Sequence, residues 1–510
     1  MHTDARDLEA QSLIEGDLCI VGAGAAGISM ALEWIGTGQR VVLLEGGGFD
    51  YDPRMQELYR GENVGLPYFP LQSARLHYFG GTTGHWAGFC STLDPQDLAV
   101  RDWVPHSGWP ITRGELDPFY ARAQPILQLG PNGWTADGWR QRDPALVPFP
   151  LDRRVAWTKM WQFSPPARFG TLYRQRIVDA PNVHLYTHAN VVDITANDGV
   201  SAVQELRVRT LEGKEHRVRA KRYVLACSTI QNARLLLASN RQATAGLGNA
   251  NDLVGRFFME HLEMPTGNLV TLGKTPPSVQ MYDFGWGRTK ARGELALSAD
   301  VQRRRRILNA TVSLTPGPLA TVGLSTFQSI KPEVLEMFHT GKITEDDLKT
   351  PPSSTVPRTF QLLTRQEQAP NPASRVTLSS DRDPLGMPRA RLDWRLTELD
   401  RHSFGAFYDE LGREMGRAGV GRLQMRDWVM ERPDAAWPPS LGGGWHHMGT
   451  TRMHPDPRQG VVDVDCRVHG MANLYVAGAA VFPTAGCANP TFTLVALTLR
   501  LSDHLKGSVA

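Results

Sequence analysis

Three short stretches carry side chains suited to proton transfer, each set among glycines or small residues. GGGWHHMGTTRM, at 442–453, places His446 beside His447. FGGTTGHWAGFC, at 79–90, places His85 beside Trp86. NPT, at 489–491, sets Asn489, Pro490 and Thr491 at the head of a run in which Leu494, Leu497 and Leu501 recur with helical spacing. Imidazole is neutral near pH 7 and accepts a proton there without a large shift, so a histidine in a binding loop suits general-base work. A single histidine is more often structural, and the pair at 446–447 does not by itself say which ring would act. Proline is tolerated in a first helical turn, so 489–491 reads as a helix start, where unpaired N–H groups favour negative charge.

What would hold such groups against a ligand is legible near the beginning of the chain. The apolar run 18–21 reads as a buried parallel strand and leads straight into Gly22, Gly24 and Gly27, a G-x-G-x-x-G. A helical pattern through Ile28, Ala31, Leu32 and Ile35 follows, closed by Gly36 and Gly38, and a second β-branched run at 41–44 ends on Glu45. In this unit Gly22 allows the tight turn, Gly24 lets the backbone approach a pyrophosphate, and Gly27 brings helix and strand close. Glu45 stands near the ~20-residue offset at which a carboxylate meets a ribose 2′-OH. The strand, helix and acid together predict a dinucleotide site. Gly46, Gly47 and Gly48 then break the alternation, and a loop-rich stretch follows where a nicotinamide-binding domain would continue with further strand–helix units.

The bulk composition excludes several classes. The 510 residues exceed one ordinary core and predict two or more domains. A net charge of +3 gives no case for nucleic acid or a membrane surface, and the arginine run 303–306 reads as a solvated face rather than a docking site. No run of about 18 apolar residues is present, so no membrane span is expected. The five cysteines are scattered without a CxxC pair, which argues against a disulfide framework and leaves no evident metal site. A reducing, cytoplasmic setting fits, with export alongside a partner subunit left open.

Four ordered motifs carry a resemblance. GAGAAG at 22–27 with Glu45, GGTTGHWAG at 80–88, WHHMGTTRM at 445–453, and GAAVFPT…NPT at 478–491 together resemble the glucose–methanol–choline (GMC) flavin oxidoreductases. ACSTIQNARLLLAS at 226–239 and DLVGRFFMEH at 252–261 fit as well. Within that family the chain is similar to the bacterial branch of pyranose oxidases, glycoside 3-oxidases and the large subunits of fructose and gluconate dehydrogenases.

The resemblance implies an α/β fold: a Rossmann-like FAD-binding domain from 1–100, 180–260 and 436–510, and substrate-binding or cap regions at 101–179 and 261–435. An antiparallel sheet over the flavin, flanked by helices, would draw on β-like runs such as 375–378 and 390–394. FAD would be bound by Gly22, Gly24, Gly27, Glu45, Gly81, Thr82, His85, Trp86, Ala226, Gly478, Ala479, Asn489, Pro490 and Thr491. The family's H-x-x-G-T pattern falls on His446, which becomes the catalytic base with Asn489 as its partner, and His447 becomes structural. A flavin-linked histidine of fungal relatives matches His85, but the preceding Gly84 and following Ala87 depart from that pattern, so a covalent link stays open. The implied substrate is a small-molecule alcohol, a sugar or glycoside oxidised at a secondary carbon. The implied electron acceptor is dioxygen, a quinone or a redox protein. Alternatives are an aminoglycoside or other non-sugar alcohol, the flavin subunit of a membrane-linked dehydrogenase complex, and a lyase on the same fold.

Overall fold

The computed structural model describes residues 1–130, 133–165, 167–271, 279–282, 291–316 and 359–507. Parts of the 261–435 region assigned above to substrate binding, 317–358 among them, lie outside the described residues.

An eight-stranded sheet carries the dinucleotide motif. Its order is His2–Asp4, Val183–Thr187, Val41–Leu44, Leu13–Val21, Glu215–Leu225, Val203–Arg209 and Asn190–Ala196, with Leu474–Val476 also paired to Glu215–Leu225. The strands from His2–Asp4 to Glu215–Leu225 run parallel, as does Leu474–Val476, so one sheet gathers chain from three distant stretches. Val41–Leu44 is buried throughout and 18–21 likewise, the pattern of parallel strands covered on both faces. The helices Ala25–Trp34 and Pro490–Gly507 pack against each other beside this sheet, so the glycine turn and residues 489–491 are neighbours.

A seven-stranded antiparallel sheet forms the opposite wall. Its order is Gly421–Met425, His261–Thr271, Thr359–Glu367, Ala310–Pro316, Ala291–Leu297, Ala156–Phe163 and Phe89–Cys90. The helix Glu398–Arg417 packs against it and is buried along one side by Phe404, Phe407 and Leu411.

The runs 375–378 and 390–394 do not belong to this wall. They lie in the antiparallel pair Arg375–Arg382 and Pro388–Asp393, joined by Glu62–Asn63 in a separate three-stranded sheet against the helix Thr229–Ala238. Alternating burial of Val376, Ala390 and Leu392 marks a half-buried strand, but alternation does not say which core it faces. Phe89–Cys90, assigned by sequence to the FAD-binding part, pairs into the seven-stranded sheet.

The arginines at 303–306 lie on an exposed face, as expected, and make ion pairs within the chain there. Arg303 pairs with Asp300, Arg304 with Glu410, Arg305 with Asp409 and Glu410, and Arg306 with Asp102. All five cysteines are free thiols. Among the described residues no helix is long and apolar enough to cross a membrane.

Candidate active site

Between the two large sheets lies a cavity with about 1790 Å³ of empty space, counted out to its open mouth. Gly22, Gly24, Glu45, Gly81, Thr82, His85, Trp86, Ala226, His446, Gly478, Ala479, Asn489, Pro490 and Thr491 all line it. Gly27 does not; a Cβ there would sit 1.8 Å from the Gly22 oxygen, so its absence lets the helix close on the turn. A Cβ on Gly24, by contrast, would meet nothing within 4 Å and would project into open space. The loop at 80–81 is laid on this turn. The Gly80 N–H donates to the Ala23 oxygen at 2.8 Å, and a Cβ on Gly81 would reach the Gly24 Cα at 3.0 Å.

Glu45 ends its strand with both carboxylate oxygens occupied, accepting from Ala23 N–H at 3.0 Å and Gly47 N–H at 2.9 Å. Burial raises its pKa. The open edge at Gly24, the carboxylate at Glu45 and the start of the long helix at Pro490 lie along one cavity wall, and these residues fit an extended dinucleotide.

The loop carrying His446 is pinned on two sides. Met448 and Met259 exchange both backbone hydrogen bonds at 3.0 Å, and Gly449 N–H and Thr451 N–H donate to the oxygens of Ala479 and Ala480. Trp445 is left in a left-handed conformation, φ 60°, costly for a non-glycine residue, and its ring stacks on His85 at 5.4 Å. His446 Nε2 lies 3.1 Å from Asn489 Nδ2, and Trp161 Nε1–H donates to Asn489 Oδ1 at 3.0 Å. Burial, with Arg365 and His447 nearby, holds the His446 pKa well below its ordinary value, so the ring is neutral at pH 7.

His447 turns elsewhere. Its Nε2 is 2.8 Å from the Tyr68 hydroxyl, which also bonds Glu260, and burial pushes its pKa to about 3. Burial raises Glu260 to about 8.

Two family models match the chain: an FAD-dependent oxidoreductase model over residues 17–239 and a GMC oxidoreductase model over 370–498. The chain carries an FAD-dependent oxidoreductase domain and a GMC oxidoreductase C-terminal domain.

Similar proteins span almost the whole length of this chain. The 2-methyl-1,2-propanediol dehydrogenase of Mycolicibacterium austroafricanum is 25% identical over 96% of this chain and 95% of its own. The fructose dehydrogenase large subunit of Gluconobacter japonicus is 24% identical, covering 96% and 98%. The paromamine 6'-oxidase of Streptomyces fradiae is 27% identical, covering 100% and 94%. The crystal structure of a formate oxidase shares the fold, with a TM-score of 0.56 at 15% identity over 98% of this chain and 99% of that one. This chain is an FAD-dependent oxidoreductase of alcohol donors.

The wall opposite the dinucleotide motif escaped the sequence reading. Glu263 and Arg365 face one another in register across neighbouring strands of the antiparallel sheet, 2.6 Å apart, and both line the cavity. The Arg365 guanidinium also lies over the Trp161 ring at 5.7 Å, and Glu263 approaches His446 Nδ1 at 3.7 Å. His261, two residues before Glu263 and so on the same strand face, contacts His446 directly at 2.9 Å. The stretch 252–261 stood out as a motif, yet nothing in its spacing points to Arg365 or Trp161. The Glu263–Arg365 pair exists only through strand register.

Proposed function

We propose that this enzyme oxidises a secondary hydroxyl of a sugar or glycoside to a ketone, with His446 as the base and Asn489 as its partner. The observation that carries the reading is the approach of His446 Nε2 and Asn489 Nδ2 to 3.1 Å on the wall of the cavity that holds the dinucleotide motif. A hydroxyl entering between them donates its proton to Nε2 and accepts a hydrogen bond from the Asn489 amide, so one oxygen is both deprotonated and aligned. Bound FAD supplies the acceptor for the hydride leaving the same carbon. The Glu263–Arg365 pair offers a carboxylate acceptor and guanidinium donors to neighbouring hydroxyls, the recognition a polyhydroxylated substrate needs. The fructose-oxidising relative supports a sugar. The 2-methyl-1,2-propanediol dehydrogenase favours a second reading, a small non-sugar alcohol, and a panel of sugars, glycosides, aminoglycosides and short diols separates the two.

The test is anaerobic mixing with substrate. His446→Ala should keep its yellow FAD and lose flavin reduction by ~10²–10⁴-fold, the usual worth of a positioned base. Reduction at the wild-type rate would defeat the assignment. His85 lies on the cavity wall in the loop at 79–90, and acid precipitation shows whether it holds FAD covalently: the colour stays in the pellet or passes to the supernatant.

A further inference from the structure

We propose that His261 is a positioning residue that fixes His446 as one tautomer, with the proton on Nδ1 and the Nε2 lone pair facing the substrate. The inference rests on the reading of His446 as the base. Two ends of one hydrogen-bonded chain lead to it independently.

The first end is a backbone carbonyl. His261 Nε2 lies 2.9 Å from the Gly486 oxygen, and a carbonyl oxygen can only accept. His261 Nε2 therefore carries a hydrogen. The ring is fully buried, which disfavours a second proton, so its Nδ1 is a bare lone pair. That lone pair faces His446 Nδ1 at 2.9 Å, which must then be the N–H.

The second end is an indole. Trp161 Nε1–H can only donate, and it donates to Asn489 Oδ1 at 3.0 Å. This orients the amide so that Nδ2, a donor only, meets His446 Nε2 at 3.1 Å. Nε2 must then be the bare nitrogen. Both ends require the same tautomer, although they reach His446 through different strands and a different loop. Asn489 gives up this bond to the substrate oxygen when a hydroxyl enters.

Backbone contacts hold the two rings in place. One oxygen of Glu260 accepts the N–H of His261 at 2.9 Å and that of His446 at 2.6 Å, and the rings meet edge to face with centroids 5.0 Å apart. Glu263, 3.7 Å from Nδ1 and already bonded by Arg365, is too far to take the hydrogen bond instead. An unconstrained neutral histidine prefers its proton on Nε2, the atom that has to receive the alcohol proton. During turnover the hydroxyl proton passes to His446 Nε2, and the resulting imidazolium keeps its Nδ1–H on His261.

The test joins spectroscopy to variants. In the FAD-loaded enzyme labelled with ¹⁵N-histidine, His446 should show a protonated Nδ1 and an unprotonated Nε2. His261→Leu should keep FAD, shift His446 toward the other tautomer and slow anaerobic flavin reduction by ~10²-fold with little change in KM. His261→Gln, whose amide can accept from His446 and donate to Gly486, should recover the rate to within ~10-fold of wild type. A wild-type His446 protonated on Nε2 would overturn the inference, as would wild-type reduction in His261→Leu when His446→Ala is slow. Full-rate reduction in His446→Ala defeats the base assignment instead. If His261→Leu fails to hold FAD, the wild-type spectrum and His261→Gln still carry the test.

Discussion

Glu260 shows how one buried side chain sets conditions for the residues around it. It is fully buried, it joins the backbones of His261 and His446, and its other oxygen meets Tyr68, which reaches His447. Burial raises its pKa to about 8, from the ordinary carboxyl value it has in the unfolded chain. Between those two values the native state holds a proton that the unfolded state has released, so this group stabilises the fold at low pH. The contribution is lost as pH rises through about 8. The expected slope is ~1.4 kcal/mol per pH unit across that window. Glu260→Gln cannot titrate, so its unfolding free energy should decline less steeply than wild type between pH ~5 and ~8. Chemical denaturation of both proteins over this range checks it; parallel curves would place the Glu260 proton elsewhere. The buried histidines act in the opposite sense below pH ~6.5, and they cancel in the comparison because both proteins carry them.

At the scale of elements, the turn between Leu13–Val21 and Ala25–Trp34 separates two jobs that one motif combines. A side chain at Gly27 would collide with the Gly22 backbone at 1.8 Å, whereas one at Gly24 would enter empty cavity. Gly27→Ala should therefore destabilise the apoprotein, because helix and strand must separate to admit the methyl group. Gly24→Val should leave the apoprotein's Tm nearly unchanged and weaken FAD binding at least ~10-fold, because its side chain occupies space the pyrophosphate needs. Melting curves with and without added FAD distinguish the two. Equal loss of apoprotein stability in both variants would show that Gly24 serves packing as well.

Across the whole molecule, the site depends on two sheets being held at a fixed separation. A buried ion pair ties one of them to the loop that follows Pro95–Leu98. Arg101, from the loop after the short helix Pro95–Leu98, makes a bidentate contact with Glu367 at 2.7 and 2.6 Å, at the end of the strand Thr359–Glu367. The same carboxylate accepts from Gly486 N–H at 3.3 Å, and Gly486 is the residue whose carbonyl anchors His261. Arg101→Leu strands a carboxylate in the interior and should cost about 3–5 kcal/mol, a large part of the stability of an ordinary domain. Urea unfolding measures it. A loss below ~1 kcal/mol would mean that Glu367 is satisfied by its other partners.

Half of this site was legible in the sequence because its signals are local. Strand, glycine turn, helix and terminal acid fall within one continuous stretch, and each glycine has a steric reason that backbone geometry dictates. The start of the long helix at Pro490, the loop at 79–90 and the H-x-x-G-T stretch at 446–450 were marked by residues that only a close approach or a helix end explains. The other wall had no such mark. Glu263 and Arg365 meet because antiparallel strands far apart in the chain pair in one register, and Trp161 comes to them from a non-neighbouring strand of the same sheet. Alternation along a strand shows which residues share a face, but not which core that face meets, and for the same reason 375–378 and 390–394 were assigned to the wrong sheet. Local sterics and hydrogen bonding determined the cofactor wall. The partner of each substrate-side residue was decided by chain closure over hundreds of residues, which leaves no spacing to read.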